Sequence, residues 1–141
     1  MHAFEQYDPE NYSVIFNAIP IEGFADDDFI DIEFEGGGYQ DQIGADGHVV
    51  RYKSSDQRAT VTFTLMASSP SNRVLSAMYT ADMKSPNGLG VGPLLIRNTR
   101  GITVFAGLHA WIRQMPKSTF GRNMGNKEWK IRVAKLEVVI G

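Results

Sequence analysis

Two short runs restrict the fold of this chain more than anything else in its 141 residues. Residues 29–35 read FIDIEFE and residues 59–66 read ATVTFTLM. Successive side chains of a strand point to opposite faces, so a strict two-residue period marks a half-buried strand. In the first run Ile30, Ile32 and Phe34 face one way and Asp31, Glu33 and Glu35 the other. In the second, Val61, Phe63 and Leu65 oppose Thr60, Thr62 and Thr64. Further strands are expected over 12–21, 93–97, 102–115 and 127–140, the last two forming a long antiparallel hairpin across Pro116, Gly121 and Gly125. Only one segment has helical period. Ser69 can cap, Pro70 suits a first helical position, and Val74, Leu75, Met78 and Ala81 make one apolar stripe. The spacing predicts a helix over about 70–83, stopped by Ser85-Pro86-Asn87-Gly88. Six or seven strands and one short helix specify a mainly-β sandwich or barrel, read as a single domain over 1–141.

About 22 residues, 36–57, separate the two alternating runs. So long a connection is unusual inside a compact domain. Its centre, Gly44-Ala45-Asp46-Gly47, has hairpin-turn chemistry, so a protruding β-arm is expected. Charge changes sign inside this arm. Residues 1–50 hold 12 of the 16 Asp and Glu and no Lys or Arg; residues 51–141 hold the other four and all 14 Lys and Arg. The formal net charge of −2 therefore conceals segments of −12 and +10. Such asymmetry bears on association rather than fold. It suits a molecule that joins head-to-tail to copies of itself.

Catalytic and ligand chemistry is missing. Without cysteine there are no disulfides, thiolate nucleophiles or Cys-ligated metals. His2, His48 and His109 are isolated, with no second ligand at metal spacing. Gly88-Leu89-Gly90-Val91-Gly92 follows a helix and leads into a strand, the reverse of a dinucleotide loop, and reads as a close-packed connection. Asp26-Asp27-Asp28 lacks calcium-loop spacing and reads as a solvated turn. No catalytic residue, metal or cofactor is expected. The N-terminus has no secretory-signal pattern, and no apolar run is long enough to span a membrane. A nucleic-acid binder is the rival reading. Arg113, Lys117, Arg122, Lys127, Lys130, Arg132 and Lys135 make the C-terminal hairpin basic, with Trp111, Phe120 and Trp129 among them. The wholly acidic first 50 residues count against it.

In order and spacing the chain resembles the tail tube proteins of contractile-tailed bacteriophages. The stretches that carry this are FEQYDPENYSVIFNAIPIEGFADDDFIDIEF, IGADGHVVRYKSSDQRATVTFTLMASSPSNRVLSAMY, SPNGLGVGPLLI and the closing AWIRQMPKSTFGRN…KEWKIRVAKLEVVIG. The most specific pieces are the SSPSN helix start, the SPNG-x-GVGPLLI that follows, and the GADG turn. The resemblance implies two packed antiparallel sheets, a flanking helix and a long arm. It also implies six-membered rings stacked into a hollow tube within a contractile sheath, carrying DNA into the host. The needle protein of type VI secretion systems shares this architecture by analogy. Implied partners are further copies of the chain and the sheath, baseplate and terminator proteins. The implied setting is a virion assembled in the host bacterial cytoplasm, with DNA passing unbound and no membrane contact.

Within that frame, Asp31, Glu33, Glu35, Thr60, Thr62 and Thr64 are expected to line the channel, since carboxylates repel phosphate where lysines would bind it. Gln40, Asp41, Gly44, Asp46, Gly47, His48, Arg51 and Lys53 are expected in an inter-subunit arm. Arg113, Lys117, Arg122, Lys127, Lys130 and Arg132 are expected in a basic interface hairpin. The alternative is a non-catalytic β-sandwich that binds nucleic acid, or a tail-completion protein.

Overall fold

The computed structural model describes residues 12–25, 29–36, 38–53, 55–86, 88, 90–99, 101, 103–117 and 125–140. His2, Asp26-Asp27-Asp28, Leu89, Phe120 and Arg122 lie outside them.

The chain opens as a hairpin rather than the single strand expected over 12–21. β1 (Tyr12–Phe16) and β2 (Ile19–Pro20) flank Asn17 and Ala18, whose φ angles are +52° and +65°. Two left-handed residues in succession make the tight turn whose twist suits antiparallel strands. Alternation cannot reveal this reversal, because the apolar phase continues through the turn.

β3 (Ile30–Phe34) pairs antiparallel with β6 (Ala59–Leu65), and between them β4 (Tyr39–Ile43) and β5 (Val49–Lys53) form a separate ribbon. Helix α1 (Ser71–Lys84) follows, then β7 (Gly92–Asn98), β8 (Val104–Gln114), β9 (Lys127–Val133) and β10 (Glu137–Val139). Among the described residues the fold is mainly β with one helix and two sheets. The body is one antiparallel sheet in the order β2-β1-β7-β8-β9-β6-β3, with β10 added on β8; the second sheet is the arm. The expected long hairpin is present as β8 and β9. Its second half is interrupted at 134–136, so β9 and β10 lie one after the other beside β8.

Alternation places the core of β6 as expected, but on β3, at the end of the sheet, Ile30 and Ile32 are only half-buried and Phe34 is exposed. Val61, Phe63 and Leu65 are wholly buried against Phe16, Leu94, Trp129, Ile131 and Val133. Helix α1 closes this core with Leu75 and Met78. Ser71 shares its buried face, whereas Ala81, expected there, is exposed. Trp129, in the sequence one aromatic of a basic hairpin, is a core residue whose indole N–H donates to Asn72 Oδ1 at 2.9 Å. A buried indole needs such an acceptor, and this one ties the helix to β9.

The helix start is built from two serines. Ser69 Oγ accepts from the Ser71 N–H at 3.2 Å and donates to the Glu22 carbonyl at 2.5 Å, while the Glu22 N–H donates to Ser71 Oγ at 2.8 Å. The cap thus also holds the chain that leaves β2. At Gly23, with φ +75°, a Cβ would run into Ser69. The glycine-rich connection after α1 is close-packed: a side chain at Gly90 would meet Asp82, and one at Gly92 would meet Asn17.

Candidate functional site

The polar face of β6 is the centre of a broader surface. Register sets Asp31 opposite Thr62 and Glu33 opposite Thr60 on one side. On the other side Thr60 faces Arg132, Thr62 faces Lys130 and Thr64 faces Glu128. Arg132 in turn faces Trp111, and Lys130 faces Gln114. Directly opposed residues share a face. The residues read as channel-lining and the core of the basic hairpin are therefore on one surface, with acid on β3, threonines on β6 and mixed charge on β9. Glu128 belongs to it and was missed, and so does Trp111, named in the sequence only as an aromatic of the basic hairpin. The signal was present in KEWKIRV, where Trp129, Ile131 and Val133 alternate with Glu128, Lys130 and Arg132.

The other basic-hairpin residues do not join them so neatly. Lys127 pairs with Leu65, in the core-facing phase, and is half-buried. Arg113 is exposed at a register shift between Ile112 and Gln114, and Lys117 is exposed beyond the strand. Arg122 lies outside the described residues.

Charge on this face is compensated in part. Thr60 Oγ1 donates to Glu35 Oε1 at 2.7 Å, and Arg132 Nη1 lies 3.2 Å from the same oxygen without an aligned N–H···O bond. The Thr60 bond first, and then the positive charges of Arg132, Arg58 and Arg113, hold the Glu35 carboxyl below its ordinary value. Arg132 itself is buried. Beside it Arg58 grips Asp56 with two side-chain bonds of 2.9 Å, which pull the Asp56 carboxyl down from 3.8 to about 2. Asp31, Glu33 and Glu35 are exposed, Thr62 and Thr64 half-buried, and Thr60 is buried. A shallow depression of about 450 Å³ lies among Ile30, Asp31, Thr62, Thr64, Glu128 and Lys130.

Among the described residues both borders of this surface are open. β3 is the last strand of the sheet. β8 pairs with β7 only as far as Ala110, so Trp111 to Gln114 have a strand partner on the β9 side alone among the described residues. An unpaired edge offers backbone donors and acceptors to another chain.

The arm is the second surface. β4 and β5 pair in register from Tyr39 opposite Lys53 to Ile43 opposite Val49. The turn is locked by Gly44 N–H to the His48 carbonyl at 2.8 Å, Gly47 N–H to the Gly44 carbonyl at 3.0 Å, and His48 N–H to Asp46 Oδ1 at 3.1 Å. Gly47 has φ +85°, which favours glycine. Asp41 faces Arg51, and the Arg51 guanidinium lies 3.7 Å from the Tyr39 ring centre. Each strand of five residues is about 17 Å long. Every described arm side chain from Tyr39 to Lys53 is exposed, including Tyr39, Ile43, Val49, Val50 and Tyr52. The ribbon is thus apolar as well as charged, which the charge pattern alone did not reveal.

Beside this geometry, two strand edges and an arm that the described residues leave uncovered, stand the chain's likenesses to known proteins. Structural protein ORF10 of Pseudomonas phage KPP10 is 24% identical over 131 residues, covering 89% of this chain and 76% of that protein. Among solved structures, the sheath/tube terminator of an extracellular contractile injection system, PVC, in its extended state aligns with TM-score 0.66 and 11% identity, over 99% of this chain and 100% of that one. The tube-terminating cap of the anti-feeding prophage gives 0.65 and 8%, over 100% and 95%. The PVC sheath-tube complex in the extended state gives 0.62 and 9%, over 99% and 95%. At such identities these neighbours share the fold. The profile of the bacteriophage PhiTE tail tube protein family matches residues 21–141. The chain belongs to this family of phage tail tube proteins, structural components of the virion.

Proposed function

We propose that the chain forms six-membered rings that stack into the hollow inner tube of a contractile tail, through which DNA passes into the host. The observation that carries this is the stretch β8-β9-β6-β3 with an open edge at each end. Neighbouring strands in it are all antiparallel. β3 of one copy can therefore receive the Trp111–Gln114 edge of the next copy with the alternation unbroken. Six copies of four strands make a barrel of about 24 strands. At strand spacings of about 4.8 Å and tilts of about 40°, its backbone diameter is about 48 Å. That is wider than a DNA duplex.

The threonine face turns to the lumen in this arrangement, because the opposite face of the same strands is the core. Asp31, Glu33, Glu35 and Glu128 there keep phosphate away. Glu35 offsets the charge of Arg132, so DNA slides without being held. Sheath, baseplate and terminator proteins are the partners, and assembly takes place in the host cytoplasm. The sheath-tube complex of PVC, similar in fold, supports the sheath contact.

Purified protein is expected to form stacked rings or tubes in negative-stain micrographs. A strictly monomeric species at high concentration would overturn the proposal. A tail-completion role is the second reading, favoured by the likeness to a tube cap and a terminator. It would give single rings that never elongate.

A further inference from the structure

Among the described residues the body carries an uncovered apolar groove on the face opposite the core. Register lines up Ile15, Leu95, Ala106 and Glu137 across β1, β7, β8 and β10. Three of the four are apolar, and all point away from the buried Val14, Leu94 and Ile96. The register shift between β7 and β8 leaves Leu108 and His109 both exposed, with Leu108 at 78%. Pro93, Leu95, Ala106, Leu108, Lys135 and Glu137 enclose a groove of about 350 Å³. A strand surface apolar on both faces is ordinarily covered on both.

We infer that this groove receives the arm tip of another copy of the chain, a contact that rests on the tube reading above. The tip presents Ile43 and Val49 side by side, 72% and 64% exposed. Asp46 lies beyond this pair and Arg51 behind it. The groove offers the complement: an apolar floor around Leu108 with Lys135 and Glu137 two residues apart on its rim. Asp46 meets Lys135 and Arg51 meets Glu137, with the aliphatic pair between them on Leu95, Ala106 and Leu108. Charges so placed set register, and apolar area drives the contact. Each subunit has one arm and one groove on different parts of its surface. Arm into groove is therefore a heterologous contact that repeats from copy to copy, around a ring or along a stack.

The chain has no cysteine, so a disulfide between introduced cysteines reports this contact cleanly. Ile43→Cys and a size-tagged Leu108→Cys are made separately, both at exposed positions, then mixed, assembled and oxidised. The expected product is a mixed disulfide of the two chains in more than half of the assembled material, absent before assembly. Ile43→Cys mixed with Met83→Cys, on exposed helix surface, is expected to give at least tenfold less. Tubes without the mixed disulfide, or with equal yield at Met83, overturn the arm-in-groove contact and leave the tube reading intact. Failure of all variants and of the unaltered chain to assemble overturns both.

Discussion

At the residue scale, the decisive contacts join segments far apart in sequence. Ser69 and Ser71 satisfy both the N–H and the carbonyl of Glu22. Gly23 sits against Ser69 in a left-handed conformation. Gly23→Ala is expected to cost at least about 2 kcal/mol, combining overpacking with an unfavourable φ, as read by urea unfolding. Glu35 and Arg132 behave differently. The folded protein depresses the Glu35 carboxyl, so its contribution is complete above the unfolded value of about 4.3 and lost as pH falls through the folded value. Glu35→Ala is expected to lower Tm at neutral pH, because Arg132 loses its carboxylate, and to flatten the acid limb. Arg132→Met, apolar and of similar length, should leave neutral Tm nearly unchanged. Equal losses from both would mean that the pair, rather than the buried cation, sets the cost.

At the element scale, the arm is held by its own ladder and turn, and its described side chains bury nothing in the body. Deleting residues 40–54 is therefore expected to leave unfolding free energy within about 1 kcal/mol, since exposed segments contribute little to stability. The same deletion should abolish tube growth in micrographs; normal tubes would refute an assembly role for the arm. The arm was legible because a 22-residue connection with a Gly-Ala-Asp-Gly centre has few other uses. Its apolar character was not, since Tyr39, Ile43, Val49, Val50 and Tyr52 would suit a core strand equally well. The β1–β2 reversal was hidden for a related reason: Asn17-Ala18 carries no glycine to mark it.

At the scale of the molecule, the −12 and +10 segments do not divide into two poles. The acidic β3 and the basic residues of β9 flank the same threonine strand, and Asp41 faces Arg51 within the arm. Charge is partly neutralised inside the chain, so only the remainder is left to act in the proposed assembly. Raising salt from 0.15 M to 1 M shortens the screening length from about 8 Å to about 3 Å. If the proposed tubes form, sedimentation should then show them shortening without dissolving, because the proposed apolar arm contacts are not screened. Complete dissolution to monomers would make charge the dominant bond. The sequence by itself determined the alternating strands β3 and β6, the buried face of β6, the helix near 70–83, and the arm, because these depend on periodicities and turn chemistry that are local. Tertiary structure alone decided that acid and base share one face, that Trp129 is core while Trp111 is not, and that two strand edges remain open among the described residues. These follow from pairing order, which brings β9 beside β6 across more than 60 residues of intervening chain.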